Sequence, residues 1–326
     1  MTLRPQDYPV MGFATGIGGF ERAAESIGLP VAGTCEINAN ARAVSFMSSG
    51  RHPLGDLFSL KPEDLPKAEI YVAGFSCKPF SQLGPRPGFV HKEGMMVFQI
   101  IHLAKIRRPK MICFENVPFI VHHNTGRTLE SINEALAEAG YSPLEWQILN
   151  SAHWGVATAR RRWFALSFRA DQKIHPIIWP NPRKPAKTVR SALLPKHLTR
   201  DLVVSSRDFI ADGRKTPRPD EYSPLYVGCI KKNFHGRRVY SPDAPAPTFT
   251  SGTGGGGGAS GLFLIDGEIR KLHPFEMLNC MAFGRIPMPF RGAVGARLAG
   301  NALVPPVASD VLKAGVTALT GQEYPS

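Results

Sequence analysis

Between residues 8 and 170 the chain alternates short apolar runs with stretches of helical periodicity, a pattern that few architectures satisfy. The runs Pro9–Phe13, Val31–Cys35, Glu69–Ala73, Met111–Phe114, Trp146–Asn150 and Trp163–Phe168 predict strands. Between them, Phe20, Ala23, Ala24 and Ile27 mark one helix face and Met96, Ile100, Leu103 and Ala104 a second. Leu129, Ile132, Leu136 and Ala139 mark a third, which stops at Gly140 as a helix C-terminus should. The expectation is an α/β domain with an open, mostly parallel sheet covered by helices, whose ligand sites lie at the carboxyl ends of the strands.

After Phe168 the texture changes. From Asp171 to about Pro247 the chain is rich in proline and basic residues without a sustained period, and it reads as a loop-rich second lobe. Residues 183–200 hold Arg183, Lys184, Lys187, Arg190, Lys196 and Arg200 with no acidic residue, a phosphate-facing surface in prospect. The glycine run 254–258, within a linker at 252–261, lacks the Lys-Ser/Thr pair of a phosphate loop. Helices are then expected at Pro274–Met281 and Pro305–Leu319, packing back on the first domain. The expected division is therefore 1–170 plus 267–326 for one domain and 171–266 for the other.

The 39 Lys and Arg against 26 Asp and Glu give a net charge of +13, a balance suited to a polyanionic partner. Five cysteines, Cys35, Cys77, Cys113, Cys229 and Cys280, show no metal-ligand spacing, so reduced thiols and no metal site are expected. No apolar run approaches the ~18–20 residues of a membrane span, and residues 1–7 lack the pattern of a secretory signal, so a cytoplasmic location without membrane attachment is expected.

Two sets of residues carry chemistry. The segment 12–20 (Gly-Phe-Ala-Thr-Gly-Ile-Gly-Gly-Phe) follows the first strand and opens the first helix, so Gly16, Gly18 and Gly19 permit a tight turn close to a ligand. Such a turn serves a dinucleotide or an adenosyl cofactor alike. Glu36 and Ile37 end the next strand, where a carboxylate can accept from a ribose diol. Asp56, before Leu57, either accepts from an adenine amino group or caps a short helix.

The second set begins at Cys77, which follows a strand and precedes Lys78, a neighbour that favours thiolate. Cys113 lies inside an apolar strand and reads as a buried structural thiol, while Glu115 stands at that strand's tip. Carbon 5 of cytosine becomes nucleophilic once a thiolate adds to C6, and a carboxyl group at N3 and the exocyclic amine stabilises the adduct. Because C6 is hidden in a stacked duplex, the base must swing out, and the loop 80–94 is placed to close over it. Arg160 and Arg162, on one face of an extended segment, would donate to the base carbonyl and a flanking phosphate.

This ordered series resembles the DNA (cytosine-5)-methyltransferase family over nearly the whole chain, through residues 12–20, 74–81, 114–117, 159–162, 270–276 and 300–306. The resemblance implies a Rossmann-like S-adenosylmethionine-dependent methyltransferase domain with an inserted small, loop-rich target-recognition domain. It implies methyl transfer from S-adenosyl-L-methionine, leaving S-adenosyl-L-homocysteine, to cytosine in double-stranded DNA. Cys77, Glu115, Arg160 and Arg162 would be catalytic. Phe13, Gly16, Ile17, Gly18, Gly19, Phe20, Glu36, Ile37, Asp56, Leu57, Asn301 and Ala302 would bind the cofactor. Lys78, Ser81, Arg183, Lys184, Lys187, Arg237 and Arg238 would meet DNA. A monomer is expected, compatible with a separately acting restriction endonuclease.

Four positions depart from the family pattern: Ser76 and Lys78 flank the cysteine in place of Pro and Gln, Ala14 stands where an aromatic is usual, and Thr158 replaces a Gln. Phe13 or Phe20 would have to supply the missing aromatic. Three other readings remain open: the same chemistry on tRNA, a non-catalytic DNA-binding regulator, and a nicotinamide dehydrogenase. The last leaves Cys77, Glu115 and the arginines without a purpose.

Overall fold

The computed structural model describes residues 3–75, 92–212, 220–231, 235–250 and 261–325. The chain divides into two compact units, one of residues 1–149, 161–180 and 305–326, the other of residues 150–160 and 181–304.

In the first unit a six-stranded sheet is built from β1 (Val10–Phe13), β2 (Val31–Cys35), β3 (Ile70–Gly74), β4 (Met111–Asn116), β5 (Glu145–Asn150) and β7 (Arg161–Phe168), in the order β2-β1-β3-β4-β7-β5. The first four strands pair in parallel, and β7 runs antiparallel to β4. Every residue of β4 is buried, which explains why its apolar run lacks polar alternation. The strand order reverses between β1 and β3, and the carboxyl ends of these two strands form the switch point where such sheets take ligands.

The intervening helices are α1 (Gly19–Ser26), α2 (Ala39–Ser49), α3 (Met96–Arg107) and α4 (Arg127–Glu138). Helix α1 buries Phe20, Ala23 and Ala24, and α4 buries Ile132 and Leu136 before Gly140 leaves the helix in the left-handed region. Helix α2 had no expectation. Its buried face is only Ala41, Val44 and Ser45, while Phe46 and Met47 are exposed, so no apolar stripe announces it. Asn38 caps it, its Oδ1 accepting from the Ala41 amide at 3.0 Å. The closing helix α7 (Pro305–Thr320) packs on α1, and Gly315 lets it approach β4 so closely that a Cβ there would collide with the Met111 side chain.

The second unit is less irregular than its composition suggests. It holds β8 (Phe209–Ala211), β9 (Tyr226–Ile230), β10 (Arg238–Tyr240), β12 (Leu262–Ile265) and β13 (Glu268–Arg270) in a sheet ordered β13-β12-β10-β9-β8. A two-stranded pair joins β6 (Thr158–Ala159) to β11 (Ala246–Pro247). These strands are two to five residues long, too short for a period-2 pattern to register. Val239, Leu262 and Ile269 centre a small core.

Two helices complete the unit, α5 (Pro274–Cys280) and α6 (Gly292–Asn301), the latter without an expectation because four of its ten residues are Gly or Asn. Residues 267–304 thus belong to the second unit, and the chain returns to the first at 305 instead of the expected 267. Residues 292–320 are long and apolar enough to cross a membrane by length and composition alone. They form two helices separated at residues 302–304, and 67% of their most apolar window is buried in protein.

Candidate active site

Strand β1 delivers the chain to a turn whose backbone only small residues tolerate. Gly16 and Gly18 take φ of 57° and 89°, and Ala14 is held at 51°, a left-handed conformation that costs a residue with a Cβ roughly 1–2 kcal/mol. The turn is tied down by its neighbours. The Thr15 amide donates to the Cys35 carbonyl at 3.3 Å, and the Gly18 amide to the Thr15 carbonyl at 3.0 Å. Glu36 clamps it from the tip of β2, its two carboxylate oxygens accepting from the amides of Gly16 and Asn38, each at 2.7 Å.

Ile37, next in sequence, is 63% exposed at the same tip, an apolar face open to a flat partner. Asp56 caps a short 3-10 helix (Leu57–Ser59), its Oδ1 accepting from the Phe58 amide at 3.1 Å, which is the capping alternative. Leu57 is buried.

The side chains of Phe13, Ile17 and Phe20 do not serve as expected. All three are buried in the core, and the Phe13 ring packs edge-on against Tyr71 at 5.0 Å, so neither Phe13 nor Phe20 exposes a ring in place of the aromatic missing at Ala14. Apolar contact with the sheet outweighs exposure to a ligand, and these residues leave only backbone for one.

At the second set, Gly74 is the register partner of Glu115, so the chain leaves β3 beside that carboxyl group three residues before Cys77. Arg162 forms an ion pair with Glu115, its Nε 2.9 Å from Oε1 but outside hydrogen-bond geometry, and both side chains are largely buried. A Cβ at position 74 would lie 3.4 Å from Glu115 Oε2, about van der Waals contact, so the carboxyl group lies directly beside the end of β3. Asn116 braces the strand tip, its Oδ1 accepting from the Val117 amide at 2.8 Å.

Cys77, Lys78 and Ser81, most of the 80–94 loop and the glycine run at 254–258 lie outside the described residues. The other four cysteines are free and buried. Burial pushes the Cys113 and Cys280 thiols well up, and Cys35, whose Sγ donates to the Gly55 carbonyl at 3.2 Å, up to about 12, so these three are poor nucleophiles.

Arg160 and Arg162 have different partners. Arg160, in the second unit, is 3% exposed and donates through Nη1 to the Phe249 carbonyl at 2.6 Å, so it ties residue 249 to the strand before β7. This corrects the expectation of an arginine facing substrate. Among the basic residues, Arg183, Lys184 and Lys187 are exposed, while Arg237 and Arg238 are half-buried. Arg190 is held by Asp243 and Asp266, and Lys196 by Glu268. Asn301 is exposed at the end of α6, and Ala302 is buried. No cluster of metal-binding side chains occurs among the described residues.

The sequence pattern of the C-5 cytosine-specific DNA methylases matches residues 9–316, almost the whole chain. The chain belongs to that family. This methylase is 30% identical over 268 residues to the type II methyltransferase M.HhaI of Haemophilus parahaemolyticus, covering 82% of the present chain and 81% of the relative. It is 27% identical to M.HaeII of Haemophilus aegyptius, over 93% and 91% of the two chains. Its fold matches that of the S. pombe Dnmt2 methyltransferase with a TM-score of 0.73 at 18% identity, covering 96% and 99% of the two chains. The Entamoeba histolytica methyltransferase EhMeth gives 0.71 at 16%, over 96% and 99%. The methylase therefore has the Rossmann-like α/β fold of S-adenosylmethionine-dependent methyltransferases.

One group escaped the sequence reading. Glu21, in the first turn of α1, looks like an exposed acid favoured by the helix dipole, but its side chain is buried against Gly12. The one available signal was the glycine at position 12 inside a strand, where a neighbouring backbone or side chain must come close.

Proposed function

We propose that this methylase transfers a methyl group from S-adenosyl-L-methionine to carbon 5 of a flipped-out cytosine at a specific sequence in double-stranded DNA. The observation that carries the reading is Glu115 at the tip of β4, fixed by Arg162, with the chain entering the Cys77 segment from its register partner Gly74.

The cofactor fits the residues at the switch point. Buried oxygens of Thr15, Glu21 and Thr34 lie without a partner among the described residues beside the glycine turn, and Ile37 offers an apolar face next to Glu36. Gly16, Gly18 and Gly19, with Glu36 and Ile37, would hold it. When bound, it would supply an electrophilic methyl group, the sulfonium–methyl bond breaking as the bond to C5 forms and S-adenosyl-L-homocysteine leaving.

Cys77 adds to C6 of the base, and the C5–C6 electron pair moves onto C5, where the methyl bond forms. Loss of the C5 proton to solvent then returns the electron pair, breaks the C6–sulfur bond and regenerates the thiolate. Glu115 accepts from the exocyclic amine and delivers a proton to N3 as the thiolate adds, the proton returning once C5 has taken the methyl group, with the Arg162 charge beside the carboxyl group. The second unit, with Arg183, Lys184 and Lys187 exposed, acts in target recognition, joined by Lys78 and Ser81 at the flipped base. The enzyme acts as a cytoplasmic monomer, and any companion endonuclease works separately.

The test is incubation with labelled cofactor and unmodified DNA, with tRNA in parallel, followed by mapping of the modified base. 5-Methylcytosine at one DNA sequence is expected, absent in Cys77→Ser, which still binds DNA. Label confined to tRNA, or full turnover by Cys77→Ser, overturns the proposal.

A further inference from the structure

Glu21 is a carboxyl group in a place where folding alone gives no reason to keep one. Its side chain is 4% exposed, and apart from its own backbone amide neither oxygen has a hydrogen-bond donor among the described residues. A buried acceptor without a partner costs about 1–3 kcal/mol, more if charged, and native structures retain few of them. Oε1 occupies the space that a side chain at Gly12 would fill, and Oε2 lies 3.7 Å from where a Cβ on Gly18 would stand, so the carboxyl lies against the glycine turn.

Two further buried hydroxyls without a partner among the described residues belong to the same neighbourhood. They are Thr15, whose methyl also packs over Gly12, and Thr34, the register partner of Gly12 on β2.

The surrounding charges do not satisfy Glu21 either. Arg51 is the cation in range and is paired with Glu25, while the Glu25 and Glu36 carboxylates oppose ionisation. On the closing helix α7, which packs on α1, Asp310 and Lys313 pair with each other. Burial and these neighbours push the Glu21 carboxyl up to about 8. Among the described residues nothing supplies the missing partner, a cation or strong donor at the carboxyl edge of β1.

We propose that Glu21, seated against Gly12, receives the α-ammonium group of the bound S-adenosyl cofactor and so positions its aminoacyl tail. This rests on the cofactor reading given above. Binding an ammonium group favours the ionised carboxyl, so a group about nine-tenths neutral at pH 7 gives up its proton when the cofactor binds.

Calorimetry at pH 7 in two buffers of different ionisation enthalpy tests this, with S-adenosyl-L-homocysteine and with 5′-methylthioadenosine, the same nucleoside without the aminoacyl tail. The wild type is expected to release close to one proton with the first ligand only. Glu21→Gln should weaken the first at least tenfold, abolish the release and leave the second unchanged. Equal affinity for S-adenosyl-L-homocysteine in both proteins, or equal weakening of both ligands, overturns the role of Glu21. Failure of the wild type to bind either ligand overturns the cofactor reading itself.

Melting of the ligand-free proteins separates positioning from folding. A raised folded value means stability is complete below the unfolded value near 4.5 and is lost as pH rises through about 8. Glu21→Gln should therefore melt no lower than wild type at pH 9. A lower melting point there, as expected if buried water satisfied a structural carboxyl, counts against the proposal.

Discussion

Replacing Arg162 by Ala tests whether the carboxyl group at the tip of β4 must be held in place for the reaction. The guanidinium Nε lies 2.9 Å from Glu115 Oε1, with side-chain exposures of 14% and 12%. At an effective dielectric of ~20 and ~4 Å between charge centres the attraction is about 4 kcal/mol. Residual contact with solvent and the competing side-chain entropy reduce that to about 2 kcal/mol of orientation. If that orientation matters only when the base is attacked, its loss lowers the rate about 30-fold.

The assay is single-turnover methyl transfer under rapid quench, with DNA and cofactor both saturating. Arg162→Lys should recover part of the rate, since it restores charge without the planar guanidinium. A rate for Arg162→Ala within about twofold of wild type, with only DNA affinity reduced, would show that Arg162 meets DNA and does not position Glu115.

Two other outcomes follow from the second unit. Arg270 and Glu276 form a bidentate pair at 2.8 Å with 6% and 0% exposure, and Glu276 also accepts from the amides of His273 and Leu194. Arg270→Met should cost about 3–5 kcal/mol in denaturant unfolding, and a loss under about 1 kcal/mol would contradict the pairing argument. Joint replacement of Arg183, Lys184 and Lys187 by Ala should flatten the plot of log affinity against log salt by about 0.9 for each phosphate these side chains neutralise, and an unchanged slope would remove them from the DNA surface.

The first unit was legible because most of its strands are apolar on both faces and its helices mostly carry one apolar stripe, patterns that survive in one dimension. The six expected strands of its sheet form within two residues of their expected starts and ends. Helix α2 was missed because small residues line its buried face, and the second sheet because its strands are shorter than the pattern that would reveal them. Glu36 and Glu115 could be read from their positions after apolar runs, since a residue that follows a buried strand must emerge at the sheet's edge.

Sequence alone determined which residues carry suitable chemistry and that Glu36 and Glu115 lie at strand ends of a mostly parallel sheet, because residue type and local periodicity suffice for both. Tertiary structure decided what each side chain faces. It took Phe13 and Phe20 into the core, tied Arg160 to the Phe249 carbonyl, set Arg162 on Glu115 and buried Glu21 against Gly12. The partners in these pairs are 9 to 89 residues apart, so no local pattern encodes them; they arise when strands align and exclude water.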